Sequence, residues 1–471
     1  MTFGARTRAN IALAALAGLG LRILFVLKFP VTESGDAPFY IELAWNWLKR
    51  GVYGFPVHGR LTPVDMRVPA YPAFLATIFA FAGNSPRAVM LAQAVVDTAT
   101  CFLIALIAAR LAPEASRRRV VLAALWLAAL CPFTANYTAV VLTETLVTFL
   151  TALAVLVLLG TDLGRVTEAK SRPSPGNRLL NQWFLAGIVA GLGTLVRPET
   201  PLVLFAAGLV LVAKRWRPID WFRLTRAGVL MGVGLIIPLL PWGARNWHTL
   251  HHVQFLAPRY SELPGESTPR GFNAWTNTWL WRFRDVYLTQ WKLDVEEISI
   301  DDVPASAFDS PTERARVDGL LDEYNERLTL VPSLDKEFGA IARERTARHP
   351  LRTYVKIPFL RSLALWFTPR MELLPYSSRV WPLTEEWEEN WPDLQVTLGF
   401  IFVNLIYISL AVAGAWIARR QPGFAFLIMF IVVRTTFFAS FVETPEPRYV
   451  LECFPAVIAI AAQVFSERRA A

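Results

Sequence analysis

The segment IALAALAGLGLRILFVLKFPVTESGDAPFYIELAWNWLKRG, residues 11–51, decides the class of fold. It begins with an apolar run from Ile11 to Phe29, about the length that a helix needs to cross the hydrocarbon core of a bilayer. A cleaved signal peptide has a shorter apolar region, so we expect an uncleaved spanning helix. Directly after the run come Gly35 and Asp36, and then a segment rich in aromatic residues. The chain is therefore expected to cross a membrane and to place a carboxylate where it leaves.

The composition of the whole chain also indicates that the protein lies in a lipid bilayer. Of its 471 residues, 54% are hydrophobic and only 18% are charged, which is more apolar surface than a soluble protein of this length could bury. The apolar segments predict an all-α polytopic membrane protein with about ten transmembrane helices, within a range of roughly nine to thirteen. Cys101, Cys131 and Cys453 lie inside apolar runs and predict no disulfide framework.

The basic residues predict the orientation of the chain. With ten spans, all the clusters of Lys and Arg in short loops fall on one side of the membrane, which identifies that side as the cytoplasm. The clusters lie at residues 6–8, 117–119, 165–178, 214–226, 419–420 and 468–469. The net charge of +9 therefore reflects membrane orientation and not a nucleic-acid partner.

This topology divides the chain into three regions. Residues 1–241 form an N-terminal transmembrane module that includes the first outer loop, 30–86. Residues 242–393 form a mostly helical extracytoplasmic insert. Its apolar segment near 350–370 is interrupted by Pro and Arg and is expected to be an interfacial helix rather than a span. Residues 394–471 form the C-terminal transmembrane helices.

Asp36 has two interpretations. Tyr40, Ala44 and Trp47 fall on one face of a helix, which predicts an amphipathic helix at the outer membrane surface with its aromatic rings at headgroup depth. Asp36 precedes this helix, close to the position where a carboxylate caps a helix N-terminus. The alternative is a general base held at the boundary between water and lipid. The residues alone leave both interpretations open.

Other charged residues lie in or next to the predicted spans. Glu144 either helps Thr143 to cap a span or is a second acidic group that orients a substrate. Asp97 lies inside a span and is expected to pair with an intramembrane arginine such as Arg22. Four arginines at the outer boundary could hold a phosphate, or could pair with carboxylates and lipid headgroups. They are Arg67, Arg197, Arg245 and Arg448.

Two further motifs contain residue types that can bind ligands. The imidazoles of HTLHH, residues 248–252, could share a helix face, but the motif lies just outside a span, where His is common, so no metal site is expected. Four tryptophans in the insert form either a platform for a sugar or an aromatic belt on the membrane. They are Trp275, Trp279, Trp281 and Trp291.

Taken in order, several motifs resemble those of the GT-C superfamily of integral membrane glycosyltransferases. The motifs are MRVPAYPAFLATIFAFAG, RAVMLAQAVVDTATCFLIAL, LTETLVTFL, LGTLVRPET, LPWGARNW and EPRYVLECFPAVIAI. The likeness is greatest to the branch that uses polyprenyl-phosphate-linked sugars, which includes the aminoarabinose transferases and the protein O-mannosyltransferases. The resemblance does not cover the middle of residues 242–393. It implies a GT-C-like fold with outer juxtamembrane helices. The first loop lacks a DxD-type acidic pair, which weakens a relation to the metal-dependent oligosaccharyltransferases.

The resemblance implies an inverting transfer of a hexose or pentose from a polyprenyl-phosphate donor to a lipid, glycan or protein acceptor. Asp36 matches the family's catalytic base, and Glu144 is the second catalytic candidate. Substrate binding is implied for Tyr40, Arg67, Tyr71, Arg197, Arg245, Arg448 and Tyr449. The donor is a substrate, so no cofactor is required, and no divalent metal is expected. The active site is implied to face the periplasm, or the outside, of a bacterial inner membrane.

Three other functions compete with this one. A flippase or transporter of lipid-linked sugars predicts broken helices near the middle of the membrane and internal two-fold repeats, and the sequence shows neither. An O-antigen polymerase or ligase with a pyrophosphate donor would also carry outer arginines, but it gives no reason for Asp36 and its Tyr-containing helix. A noncatalytic membrane scaffold would tolerate substitution of Asp36.

Overall fold

The computed structural model describes residues 4–31, 35–161, 163, 176–214, 221–258 and 268–466. Its contacts group the chain into two compact units. The first contains Met1–Arg259, Pro369–Val433 and Leu451–Ala471, and the second contains Tyr260–Thr368 and Arg434–Val450. The sequence regions 1–241, 242–393 and 394–471 stay a prediction. The basic clusters at 165–178, 214–226 and 468–469 lie wholly or partly outside the described residues.

Both units are built mainly of helices. The first unit begins with α1 (Ala5–Lys28), α2 (Ala37–Arg50), α3 (Ala70–Ala82), α4 (Pro86–Leu111), α5 (Arg117–Ala129), α6 (Pro132–Asn136), α7 (Glu144–Leu158), α8 (Gly176–Thr194), α9 (Leu202–Lys214) and α10 (Trp221–Leu250). The second unit contains α11 (Arg270–Thr276), α12 (Phe283–Leu288), α13 (Pro311–Asn325), α14 (Pro332–Arg348) and α15 (Ile357–Phe367). The chain ends with α16 (Leu383–Glu389), α17 (Trp391–Ala418), α18 (Phe424–Phe441) and α19 (Phe454–Ala461). Of these four, α16, α17 and α19 belong to the first unit, and α18 has residues in both units.

Among the described residues, six helical stretches are long and apolar enough to cross a membrane. They are α1, α4, Leu224–Leu250 of α10, α17, α18 and Pro447–Phe465. The bent pair Glu114–Ala129 and Pro132–Ala139, with a break of 41°, would be a seventh span, and α3, α7 and α9 are apolar but shorter. The expected all-α polytopic membrane fold is confirmed, whereas the number of about ten spans stays a prediction.

A buried ion pair fixes α1 within the first unit. Arg22 Nη2 lies 2.7 Å from Asp97 Oδ2 of α4, and both side chains are almost inaccessible. Arg22 Nη1 also donates hydrogen bonds to the carbonyl oxygens of Gly18 and Ala129, at 2.9 and 2.8 Å. Two charges in an apolar interior must satisfy each other, so this pair holds α1 against α4 and against the end of α5. The predicted partnership of Asp97 with Arg22 is confirmed.

The segment after α1 forms the predicted helix and then a hairpin. Helix α2 buries Tyr40, Leu43 and Ala44, whereas Trp47 is 37% exposed. The helix ends at Gly51, whose φ of 68° is left-handed and suits glycine at this position. Strands β1 (Gly54–Val57) and β2 (Arg60–Pro63) then pair antiparallel. This short sheet brings the chain back toward α2 before α3 begins.

The second unit has its own hydrophobic core, formed by α11–α14 and the loops between them. Trp275 and Trp279 are fully buried in this core, and their ring centroids lie 5.3 Å apart. Trp275 also packs against Phe338 of α14. The prediction that these two tryptophans form a sugar platform or a membrane belt is therefore wrong. Their aromatic area stabilises the fold of the insert instead.

Candidate active site

The Asp36 side chain does not cap helix α2. The residue occupies the N-cap position, but its carboxylate accepts no capping hydrogen bond from the helix backbone. Its Oδ1 instead lies 2.7 Å from Nη2 of Arg67, in an ion pair whose side chains are 35% and 25% exposed. Of the two interpretations of Asp36, capping is wrong. The carboxylate is held by a guanidinium and remains open to water.

Several contacts keep Arg67 in place. Its Nη1 donates to the carbonyl oxygen of Met66 at 3.1 Å, and its own carbonyl oxygen accepts a hydrogen bond from the Tyr53 hydroxyl at 2.9 Å. Burial opposes the charged form of Arg67. The Asp36 carboxylate, together with the nearby phenols of Tyr40 and Tyr53, outweighs this effect, so the pKa of Arg67 lies above its ordinary value. The side chain is thus a permanent cation beside Asp36.

Two tyrosines pack against each other close to this ion pair. The rings of Tyr40 and Tyr71 meet edge to face at 5.0 Å. The Tyr71 hydroxyl donates to Oε1 of Gln93 at 2.7 Å, and Nε2 of Gln93 donates to the carbonyl oxygen of Val140 at 2.7 Å. Burial, and then the charge of Asp36, raises the pKa of the Tyr40 phenol, so its hydroxyl stays protonated and can donate a hydrogen bond.

A second carboxylate–guanidinium pair lies within electrostatic range of Tyr40. Glu144, the first residue of α7, lies 3.2 Å from Nη1 of Arg197, and these side chains are only 4% and 12% exposed. Arg197 also approaches Glu199, at 3.7 Å. The charges of both ion pairs act on Tyr40. The structure therefore places both predicted acids, Asp36 and Glu144, and their arginine partners within electrostatic range of this tyrosine. The Glu144 pair is the more buried of the two.

Arg245 is bound to the hairpin segment. Its guanidinium donates to the carbonyl oxygens of Val64 at 2.8 Å and Tyr53 at 2.9 Å, and it stacks on the ring of Trp242 at 5.0 Å. It also borders a largely apolar cavity of about 330 Å³. These contacts fasten the hairpin to α10. A role for Arg245 in substrate binding stays a prediction.

Arg448 and Tyr449 belong to the second unit. Nε of Arg448 lies 2.7 Å from Glu446, and the Tyr449 hydroxyl donates to the same carboxylate at 2.6 Å. The Tyr449 ring stacks on Phe438 at 4.6 Å. The two residues therefore share a protein carboxylate. Their contact with a substrate phosphate stays a prediction.

Several neighbouring contacts were not predicted. His252 of the HTLHH motif places Nε2 2.8 Å from Asp65, two residues before Arg67. Tyr137, which follows α6, donates a hydrogen bond to Glu372. The partners in each contact are far apart in sequence, and no local pattern links them. Among the described residues, no group of three or more His, Cys, Asp or Glu side chains could hold a metal ion.

Comparison with known proteins supports the fold that surrounds these residues. Residues 66–242 match the model of the dolichyl-phosphate-mannose-protein mannosyltransferase family. This segment contains Arg67, Tyr71, Glu144 and Arg197, but not Asp36. No curated protein matches the chain.

Solved structures resemble the chain over nearly all of its length. The archaeal oligosaccharyltransferase AglB from Archaeoglobus fulgidus, in complex with an inhibitory peptide and a dolichol-phosphate, has a TM-score of 0.50 and 12% identity, over 98% of this chain and 50% of that one. The Archaeoglobus fulgidus oligosaccharyltransferase with Zn and sulfate has a TM-score of 0.49 and 15% identity, over 96% and 48% of the two chains. ArnT from Cupriavidus metallidurans in the apo state has a TM-score of 0.43 and 12% identity, over 98% and 78%.

The match to AglB, with a TM-score of 0.50, indicates the class of fold. The chain spans about half the length of the oligosaccharyltransferase chains. At 12% identity the likeness to AglB shows the fold alone. AglB is an oligosaccharyltransferase, and the lack of an acidic pair in the first loop had weakened the expected relation to that group. Together with the family match over 66–242, the likeness to AglB confirms the resemblance to the GT-C superfamily of integral membrane glycosyltransferases.

Proposed function

We propose that this integral membrane protein is a glycosyltransferase that moves a sugar from a polyprenyl-phosphate donor to an acceptor at the outer membrane face. The family match over 66–242 and the GT-C-like fold support this class of reaction. The observation that carries the proposal is the accessible Asp36–Arg67 pair in the segment that follows the first span. A carboxylate and a cation at this position suit a lipid-borne phosphate and a water-borne acceptor.

Asp36 acts as the general base. A hydroxyl or amine acceptor must lose a proton as it attacks the anomeric carbon, and a carboxylate open to substrate can take that proton. The bond from the anomeric carbon to the phosphate oxygen breaks, and polyprenyl phosphate leaves with the electron pair. A single displacement of this kind inverts the anomeric centre. The 35% exposure of the Asp36 side chain supports this role, because a general base must reach the acceptor.

Arg67 stabilises the leaving phosphate. One of its Nη2 donors is directed at Asp36, and a guanidinium has five N–H donors that can also bind phosphate oxygens bidentately. Charge that develops on the leaving group is best stabilised by donors that are already in position. Tyr40, with its protonated hydroxyl, could donate a hydrogen bond to the donor sugar or its phosphate.

The remaining candidates support this centre. Glu144 and Arg197 are paired and largely buried, so we assign them to positioning, together with Tyr71, whose hydroxyl is bound to Gln93. We place the reaction at the periplasmic face of a bacterial inner membrane, with a hexose or pentose as the sugar and a lipid, glycan or protein as the acceptor. Donors linked to dolichol or undecaprenyl carry the same phosphate chemistry.

A transfer assay with purified full-length protein tests the proposal. Protein in detergent is given a panel of polyprenyl-phosphate sugars and acceptors extracted from bacterial envelopes, and products are identified by mass spectrometry and NMR. We expect a new glycosidic bond with inverted anomeric configuration. The Asp36→Asn variant, purified in the same way, controls for a contaminating transferase.

Two results would overturn the proposal. If wild-type protein in vesicles moved the lipid-linked sugar across the bilayer without forming a glycosidic bond, the protein would be a flippase. If a product formed only with a pyrophosphate-linked donor, it would be a polymerase or ligase. Retention of the donor's anomeric configuration would refute the single displacement but not the transferase class.

A further inference from the structure

The second unit contains a basic groove between α11 and α14. The groove has a volume of about 730 Å³ and is bordered by Arg270, Lys336 and Arg343. Its floor is made of small residues, because the two helices cross so closely at Gly271 that a Cβ there would lie 1.7 Å from the backbone oxygen of Asp335. The hydroxyls of Thr346 and Thr353 complete its polar lining.

Two cations of this groove, Lys336 and Arg343, are not neutralised by the nearest acids. The Asp335 carboxylate accepts hydrogen bonds from the backbone N–H groups of Gly271 and Phe272, both at 2.9 Å. Glu337 and Glu344, the other acids next to the groove residues in α14, pair with Arg316 of α13. Within the described part of the chain, Lys336 and Arg343 have no ion-pair partner. An anion is therefore the complementary ligand.

An exposed apolar stripe begins at one wall of the groove. Tyr354 lines the groove and is 71% exposed. Next to it, apolar side chains recur every four residues along the π-helical turn Arg352–Lys356 and along α15, and they form an apolar stripe. Its members, all exposed, are Leu351, Val355, Phe359, Leu363 and Phe367. Large apolar side chains at this spacing are typical of a helix face that lies against lipid.

Contacts inside the second unit indicate the depth of this stripe. Helix α15 packs beside the last part of α18, a candidate span, and Leu365 joins Phe438 and Ala439 in one cluster. Arg361 donates to the carbonyl oxygen of Val442 at 3.0 Å, and the Trp366 indole donates to Thr435 at 3.0 Å. The C-terminal end of α15 thus lies alongside the span, and its N-terminal end points beyond the end of the span.

The groove then falls at the level of lipid headgroups. An α-helix rises 1.5 Å per residue and a π-helical turn rises less, so Tyr354 lies at most about 10 Å beyond the level of Arg361. Arg361 contacts the residue just after α18. The headgroup region begins where the hydrocarbon core ends and is several ångströms thick. We propose that the groove binds the phosphate of an anionic phospholipid whose acyl chains lie along the stripe on α15.

Charge complementarity favours this occupant over a soluble one. Lys336 and Arg343 provide two cations at the depth of the lipid phosphate, and the stripe provides the apolar surface that only an amphiphile would cover. The proposal concerns a lipid site in the insert and is independent of the transfer reaction.

Native mass spectrometry of the full-length protein in detergent tests the proposal. The probes are phosphatidylglycerol and, as the zwitterionic control, phosphatidylcholine. The Lys336→Gln/Arg343→Gln variant removes two groove charges, and Arg314→Gln/Arg327→Gln removes two exposed charges elsewhere in the same unit. Each basic residue near an anionic lipid contributes about fivefold in affinity, so we expect about a 25-fold loss of phosphatidylglycerol binding in the first variant and less than about twofold in the second.

The outcomes separate the alternatives. Equal phosphatidylglycerol binding by wild type and the groove variant would overturn the proposal, as would equal wild-type affinity for phosphatidylcholine. Displacement of phosphatidylglycerol by a soluble acidic oligosaccharide would show that the groove holds a glycan instead. Phe359→Ser is expected to weaken binding of both lipids without changing the preference between them. An unfolding midpoint equal to that of wild type confirms that each variant is folded.

Discussion

Asp36 and Glu144 are both paired with arginine, but the two pairs differ in their access to water. The Asp36–Arg67 side chains are about a third and a quarter exposed, and those of Glu144 and Arg197 are nearly buried. A residue that takes a proton from an incoming acceptor must touch it, whereas a buried pair acts by holding elements together. This difference supports the proposed roles, with Asp36 as the base and Glu144 as a positioning residue.

Replacement of Glu144 is expected to destabilise the protein. Glu144→Gln removes the nearer carboxylate from Arg197, in a largely buried place, and leaves Glu199 at 3.7 Å as its other acidic neighbour. Breaking a buried pair costs about 3 kcal/mol, and Glu199 should reduce this loss only in part. The unfolding midpoint in detergent should fall clearly below that of wild type. Glu42→Gln, on the exposed side of α2, is the matched control and should not change it. An unchanged midpoint for Glu144→Gln would contradict the positioning role.

The His252–Asp65 pair predicts a pH dependence of stability. The hydrogen bond that His252 donates to the Asp65 carboxylate raises the pKa of His252 above its ordinary value of 6.5. Because the pKa of His252 is higher in the folded state, the pair stabilises the fold fully at a pH below the pKa of the unfolded state. This stabilisation is lost as the pH rises through the pKa of the folded state. The unfolding midpoints of wild type and His252→Gln should therefore differ at about pH 5.5 and converge by about pH 9. A difference that grows with pH would contradict this.

At the scale of elements, the Arg22–Asp97 pair connects α1, α4 and the end of α5. Asp97→Leu leaves a buried cation and should cost about 3–5 kcal/mol, whereas Arg22→Met/Asp97→Leu removes both charges and should recover most of that loss. Thermal unfolding of the two variants and of Arg22→Met alone measures the coupling. If the double variant is less stable than Asp97→Leu, mutual neutralisation of the two charges is not the main contribution of the pair, and the account is contradicted.

The sequence predicts those elements whose determinants are local. The apolar run before Asp36 and the aromatic spacing after it predicted α1 and α2, and a charge inside a span predicted the Arg22–Asp97 pair. The prediction from sequence was wrong for Trp275 and Trp279, because a cluster of tryptophans gives the same sequence pattern in a hydrophobic core as on a membrane surface. Tyr137–Glu372 and His252–Asp65 join residues 235 and 187 positions apart, which no local pattern reveals.

At the scale of the whole molecule, the apolar composition predicted a polytopic membrane protein, and the structure confirms it. The sequence indicated three consecutive regions, whereas the contacts form two units that are discontinuous along the chain. Several apolar helices are shorter than a full span and one span is bent, so hydropathy alone does not determine their number. The site residues are nevertheless concentrated in the first unit, where Asp36, Arg67, Glu144 and Arg197 lie within electrostatic range of Tyr40.

The rate of glycosidic bond formation by Asp36→Asn tests the central claim most directly. The variant keeps the size of the side chain but cannot accept the proton, and general-base catalysis contributes about 10²- to 10⁴-fold to a rate. We therefore expect turnover at least about a hundredfold below wild type, with Glu42→Gln of α2 unchanged as the matched control. Turnover of Asp36→Asn equal to that of wild type would contradict the account.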